Sequence, residues 1–280
     1  MTEMIAFMAA PFFASLTIAA IHVYLGIHIL QREVIFVDLA LAQIAALGTT
    51  VAFIAGVSLD SSLSYVFSFG FVVLGSALFA VTRVRHQKIP QEAIIGITYV
   101  VATAASILVA DRAAGGAEHI KEMLTGAVLW VRWPAILQLA GVYAAITVVH
   151  ILFRGKFTGL TQRYREGLLE PGDRWWDFLF YLTFGIVIVM SVRIAGILLV
   201  FSFLVVPSSV SLLFSGGWRG RMYVGWTVAT VAALLGMFAS YGLNMPCGPA
   251  IVVILGLMLG VIALVRLLLF ARSPQGGSSG

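Results

Sequence analysis

A histidine inside an apolar run is costly to bury unless it pairs or works, and His22 stands about mid-way along such a run. It has two readings: a substrate ligand or proton relay, or a neutral ring hydrogen-bonded to another helix. His28 and His150 stand nearer the ends of their runs, where interfacial positions are expected. The second apolar run carries Asp38 and Gln43. At a rise of 1.5 Å per residue, Gln43 lies about 13 Å into that run, close to a bilayer midplane. Asp38 is nearer the end, where it either serves a cation or pairs with a base such as Arg32. Ala40, Ala42, Ala45, Ala46, Gly48 and Thr49 surround the two, and small residues let helices approach closely or line a narrow path. A later run holds Ser202, Pro207, Ser208, Ser209 and Ser211; these hydroxyls either repair the bonds that proline frees or line a path. The stretch SYGLNMPCGP brings Ser240, Asn244, Met245 and Cys247 to one end of another run. Glu118, His119 and Glu122 fall within about one helical turn between runs, a spacing that suits a metal or a solvated helix face.

These positions stand out because the rest of the chain is so apolar. Of its 280 residues, 61% are hydrophobic and 10% charged, against about 25% charged in an average soluble domain. So little charge excludes a water-soluble enzyme, a nucleic-acid-binding protein and a disordered chain. The net charge of +5 fits loops that face anionic lipid. One cysteine, Cys247, permits no intramolecular disulfide. No basic residue precedes Arg32, which argues against a cleaved signal peptide. Residues 273–280, SPQGGSSG, read as a linker remnant, leaving 1–272 as one transmembrane domain. Outside the 273–280 remnant, no G-x-x-x-x-G-K-[ST], H-E-x-x-H or G-x-S-x-G occurs, so any ATP hydrolysis belongs to another polypeptide.

The expected fold is all-α and polytopic. A spanning helix needs about 20 apolar residues, and nine stretches qualify: 4–30, 34–57, 62–82, 94–110, 134–153, 175–191, 194–214, 222–243 and 249–270. Pro11 divides the first into an interfacial part and a spanning part. Only Val192 and Arg193 separate the sixth from the seventh, so the count is eight if those two are one element. With nine spans, thirteen of the 17 basic residues fall in alternate loops and four (Arg112, Lys121, Arg132 and Arg193) in the others. The Lys/Arg bias puts the N-terminus outside and the C-terminus inside. Trp130 and Trp133 then mark an outer boundary, and Trp175, Trp176, Trp218 and Trp226 inner ones.

Three stretches resemble the permease subunits of the bacterial ABC importers for zinc, manganese and iron. They are FVDLALAQIAALG from Phe36, IPQEAIIGITYVVATAASILVA from Ile89, and VRIAGILLVFSFLVVPSSVSLLFS from Val192, followed by SYGLNMPCGPAIVV. The segment LTGAVLWV from Leu124 is similar to the family's short outer motif before the fifth span. The resemblance implies a multi-pass protein of the bacterial inner membrane that pairs with a second copy of itself. A cytosolic ATPase dimer, using ATP and Mg, would dock beneath, and an extracytoplasmic binding protein would deliver the substrate. It implies no cofactor in this chain and no nucleic-acid partner. It also assigns the ATPase-coupling role to the loop holding Thr161, Gln162, Arg163, Tyr164, Arg165, Glu166 and Gly167.

The departures from the family pattern bear on the cargo. The family's second-span motif reads F-V-G-D-A-L-A-H-x-A-x-x-G. Here its Gly is Asp38, its Asp is Leu39 and its His is Gln43; the family's Asp before P-x-G-P is Asn244. A dication wants carboxylate, imidazole or thiolate ligands, and neither leucine nor a neutral amide replaces them. Either the acid has moved to Asp38, with His22 supplying the imidazole, or the cargo is a chelate, an organometallic or a small organic solute; loss of the family's ligands is also what a transport-inactive membrane scaffold or signalling subunit would show. The second reading gives Gln43, Ser208, Ser240 and Asn244 hydrogen-bonding roles along the path.

Overall fold

A computed structural model describes residues 2–58, 61–83, 89–111 and 124–271. The Glu118, His119 and Glu122 group lies outside the described residues, as do Arg85, Lys88, Arg112, Lys121 and the 273–280 remnant. The described chain is helical throughout: α1 (Thr2–Gln31), α2 (Val37–Ile54), α3 (Ser62–Thr82), α4 (Gln91–Ala110), a short 3-10 turn (Val128–Trp130), α5 (Trp133–Leu152), α6 (Arg154–Glu166), α7 (Asp173–Phe214), α8 (Trp218–Leu243) and α9 (Cys247–Ala271). Apolar runs of this length become helices because a helix satisfies every backbone group internally, as a hydrocarbon surround demands. Eight of these helices are long and apolar enough to cross a membrane. Contrary to expectation, Pro11 does not divide α1, which continues through it to Gln31.

The core is built around α7. On one side it packs against α2 and α3, with α4 behind on α2; on the other it packs against α1, α8 and α9. Within its most apolar stretch 72% of α7 is enclosed by protein, against 11% of α9, so α9 is peripheral. Phe79, Phe180, Tyr181, Phe184 and Phe203 fill the centre with no accessible surface.

A straight helix of 42 residues would be about 63 Å long, twice the hydrocarbon thickness of a bilayer. Instead α7 breaks at Gly196, where φ is 76° and ψ 161°. Phe180 lies 5.6 Å from the His28 ring, while the Leu204 carbonyl rests against Gly26. Residues 180 and 204 would be about 36 Å apart on a straight helix, yet both meet the same stretch of α1. The helix therefore folds back at Gly196 into two arms that lie side by side. The second arm runs parallel to α9: Gly248 lies 3.7 Å, measured from where its Cβ would stand, from the Ala195 carbonyl, and Arg266 donates to the Leu213 carbonyl at 2.9 Å. The reversal falls three residues beyond the Val192–Arg193 boundary expected from the sequence. Only glycine adopts this backbone region freely. The residue at the turn must also lack a Cβ, because one at Gly196 would overlap the backbone of Thr125 and Gly126. That 124–127 segment seals the turn, with the Ala127 amide donating to the Ile194 carbonyl at 3.0 Å.

Candidate substrate path and coupling site

His22 is fully enclosed on α1. Its Nδ1 lies 2.7 Å from the Ile18 carbonyl. A carbonyl only accepts, so Nδ1 carries a proton, and in the neutral ring Nε2 keeps its lone pair. Nε2 points toward Ser191 Oγ of α7 at 3.5 Å. Ser191 donates to the Val187 carbonyl at 2.6 Å, and Tyr143 Oη of α5 is hydrogen-bonded to Ser191 Oγ. Thus α1, α5 and the first arm of α7 bring an imidazole, a phenol and a hydroxyl to one point. The sequence offered His22 alone. Tyr143 and Ser191 carried no signal of their own, since each sits in an ordinary apolar run.

Asp38 stands in the first turn of α2, 1% exposed, and its Oδ1 has no hydrogen-bond partner among the described residues. Its expected partner, Arg32, pairs with Asp177 instead, Nη1 to Oδ1 at 3.2 Å. Gln43, 7% exposed, lies further along α2. Leu41 approaches Gly185 of α7, one turn deeper than Asp38, whereas His22 meets α7 at Ser191. His22 and Asp38 therefore belong to different helix groups and differ by about 13 Å in depth along α7. The start of α2 has a second acid beside it: Glu92 of α4 accepts the Phe36 amide at 3.0 Å.

The remaining path candidates are engaged locally. Ser208 on the second arm donates to the Val23 carbonyl at 3.2 Å, tying that arm to α1. Ser240 donates to the Met245 carbonyl at 2.6 Å. Asn244 is exposed, closes α8 in the left-handed conformation at φ 56°, and donates its amide to the Ser240 carbonyl. Asparagine tolerates that conformation better than most residues. Ser240 and Asn244 thus shape the turn between α8 and α9, away from His22.

The expected coupling loop is a regular helix, α6, with two unlike faces. Phe157, Leu160, Thr161 and Tyr164 are buried at the i, i+3, i+4, i+7 spacing of one helical face, while Gln162, Arg165 and Glu166 are exposed. Gly167 ends the helix at φ 67°. Arg163 forks onto Asp173, with Nε to Oδ2 at 2.9 Å and Nη2 to Oδ1. That hydrogen-bonded carboxylate raises the guanidinium's pKa still further. Burial pushes the Tyr164 phenol well above its ordinary pKa.

The buried face of α6 enters a polar network that the sequence did not disclose. Thr161 Oγ1 donates to the Phe157 carbonyl at 3.0 Å. Its lone pairs then accept Arg32 Nε at 2.9 Å and His28 Nδ1 at 2.8 Å. Arg32 lies 3.8 Å above the Phe180 ring, and Arg83 lies 3.3 Å above Tyr164. His150 stacks on Phe157 at 4.3 Å. It bridges Tyr24 Oη at 3.1 Å and Thr183 Oγ1 at 2.9 Å. His28 and His150, expected at an interface, are buried members of this network. Through it, one helical turn of α6 is fastened to α1, α5 and α7. The signal in the sequence was a basic residue closing one apolar run and an acid, Asp177, just inside another.

Among the described residues no three His, Cys, Asp or Glu side chains gather as a metal cage. The fold and these sites define a polytopic helical membrane protein with an amphipathic helix, α6, bonded into its core. More particularly, the chain belongs to the ABC 3 transport family, whose model matches residues 4–266. It is similar to the "Probable metal transport system membrane protein" of Chlamydia trachomatis, 24% identical over 61% of this chain. It spans only 58% of that relative's length. It is 27% identical to the manganese transport system membrane protein MntB of Synechocystis, over 76% of this chain and 70% of that one. Among solved structures, PsaBC from Streptococcus pneumoniae in complex with Fab matches with a TM-score of 0.74, at 19% identity, over 93% of this chain and 94% of that one.

Proposed function

We propose that this chain is the permease subunit of an ABC importer that carries a divalent metal ion or metal-related cargo across a bacterial inner membrane. The observation that carries the reading is α6, an amphipathic helix whose outer face is free for a partner while its inner face is bonded to the spanning helices. Membership of a transport family and relatives named for metal and manganese transport support the cargo class. The two arms of α7 give nine crossings. With the thirteen-to-four distribution of basic residues this supports an orientation with the N-terminus outside and the C-terminus inside. Two such permeases pair over a cytosolic ATPase dimer that uses ATP and Mg, and an extracytoplasmic binding protein supplies the cargo.

In this proposal the path runs past Asn244 and Ser240 at the outer end, past Ser208, His22 and Gln43 at mid-depth, and past Asp38 at the inner end. His22 offers a neutral nitrogen lone pair and Asp38 an unpartnered carboxylate oxygen, as successive rather than joint ligands. The coupling residues divide: Gln162, Arg165, Glu166 and Gly167 face the ATPase, while Thr161, Arg163 and Tyr164 hold the helix in place.

A second reading, a chelated or organic cargo, is favoured by Leu39, Gln43 and Asn244, which provide no charge where the resembling family has acids and an imidazole. Reconstitution of the permease with its ATPase in vesicles separates the two. Stimulation of ATP hydrolysis by zinc, manganese, iron or copper ions supports the ion reading, and indifference to all four overturns it.

A further inference from the structure

The face of the molecule between α5 and α8 carries a groove that borders the polar clusters described above at Tyr143 and His150 but whose apolar walls have no role in them. Both helices lean on α1, and between them lies a cavity of about 540 Å³, walled by Ala20, Ile21, Ala140, Ala144 and Trp226 among others. That volume falls in the range of sites that hold a small molecule, roughly 300–1,000 Å³. Tyr24, Arg154 and Met222 line this groove and also a second cavity of about 830 Å³ at its α6 end, so the two adjoin. The second cavity is a cup of arginines: Arg154, Arg165, Arg219 and Arg221. Its one acid, Glu166, accepts the Gln162 side-chain amide at 2.9 Å. Arg221 spends its Nε on the Ser215 carbonyl at 2.9 Å. No hydrogen bond or ion pair among the described residues engages the side chains of Arg154, Arg165 or Arg219. Arg165 and Arg221 are near enough to repel each other.

We infer that this groove and cup bind an anionic phospholipid, with an acyl chain between α5 and α8 and the phosphate among Arg154, Arg219 and Arg221. Four guanidiniums around a polar cup call for an anion, and they repel any cationic cargo. Guanidiniums fork onto phosphate oxygens, and basic pockets between spanning helices suit anionic headgroups. The apolar continuation selects a lipid over a free anion, and over the acidic surface of a soluble partner, which cannot fill a groove at membrane depth. The inference rests on the chain lying in a bilayer and is independent of its cargo; because the cup shares Gln162, Arg165 and Glu166 with the face proposed for the ATPase, the phosphate is assigned to Arg154, Arg219 and Arg221, outside that set.

Native mass spectrometry of the delipidated full chain tests it, with phosphatidylglycerol, phosphatidylcholine of the same acyl composition, and inorganic phosphate as probes. Phosphatidylglycerol is expected to be retained at least about tenfold more strongly than phosphatidylcholine. The double variant Arg154→Gln/Arg219→Gln is expected to erase that preference. Ala144→Phe fills the groove but leaves the arginines, and is expected to weaken phosphatidylglycerol retention while leaving phosphate binding unchanged. Thermal melting and size-exclusion profiles like those of the parent show that both variants fold. Equal retention of the two lipids, or a preference that survives the double variant, overturns the inference. So does inorganic phosphate competing as an equal of phosphatidylglycerol. Loss of the ATPase from the double variant without loss of lipid makes the cup a protein-docking surface, and a changed oligomer in Ala144→Phe without loss of lipid makes the groove a protomer interface; either overturns it.

Discussion

His22 and Arg32 lie ten residues apart on α1 and solve burial differently. As a neutral ring, His22 donates its one N–H to the Ile18 carbonyl and keeps a lone pair at mid-depth. If that lone pair handles cargo, His22→Ala reduces uptake in vesicles by about tenfold or more, as loss of one charge-neutral ligand contact implies. Asp38→Ala reduces it independently, because the two side chains act at different depths. Uptake unchanged in both removes them from the path. Arg32 has no side-chain exposure, and Asp177 answers its guanidinium. Removing one member of such a pair leaves an uncompensated buried charge, so Arg32→Met is expected to cost about 3–5 kcal/mol in thermal or denaturant unfolding. The double variant Arg32→Met/Asp177→Leu recovers most of that loss. It does not restore transport-coupled ATP hydrolysis, because Thr161 has lost its strongest donor. A double variant as unstable as the single one contradicts the pairing.

At the scale of elements, α6 and the α7 hairpin do the positioning. The two faces of α6 predict separable phenotypes. Glu166→Ala with Gln162→Ala leaves the melting temperature within about a degree or two, since exposed pairs contribute little, and weakens co-purification of the ATPase. Thr161→Val lowers the melting temperature by removing an acceptor from two buried donors. At the hairpin, Gly196→Ala costs at least about 1–3 kcal/mol for the backbone conformation alone, plus the overlap with Thr125 and Gly126. Gly70→Ala, where a Cβ would meet nothing within 4 Å, is the matched control in the same unfolding assay. These elements also mark the limit of what the sequence could say. Helix positions were legible because an apolar run of spanning length has few other stable forms. The α6 stretch was legible as a mixed-charge loop able to form a short surface helix, but not its outward and inward residues, since what sorts them is contact with α1 and α7. The turn of α7 was expected at Val192–Arg193, where polarity interrupts the run. It occurs at Gly196, where a small residue meets the backbone of a segment some 70 positions earlier, and composition does not register that. Likewise Tyr143 and Ser191 reach His22 across 121 and 169 positions, and Arg32 reaches Asp177 across 145.

At the scale of the whole molecule, a central helical hairpin is flanked by α2, α3 and α4 on one side and by α1, α8 and α9 on the other. The proposed orientation is open to a direct test. In a Cys247→Ser background, Gln162→Cys should react with a membrane-impermeant maleimide in inside-out vesicles and stay unreactive in intact cells; the reverse pattern inverts the topology. The hairpin has a bearing on how such a chain reaches its membrane. Its arms are joined by one glycine with no loop to spare, and Arg193 sits just before the bend, against Ser64 of α3 at 3.0 Å. A translocation channel that releases helices one at a time would have to abandon the first arm in lipid with its arginine uncovered. The two arms are instead suited to leave the channel as a unit, after α3 is already waiting. Membrane insertion of this chain is therefore expected to follow an order fixed at residue 196. A chain expressed as two fragments should reassemble when severed between α4 and α5, and fail when severed at the bend.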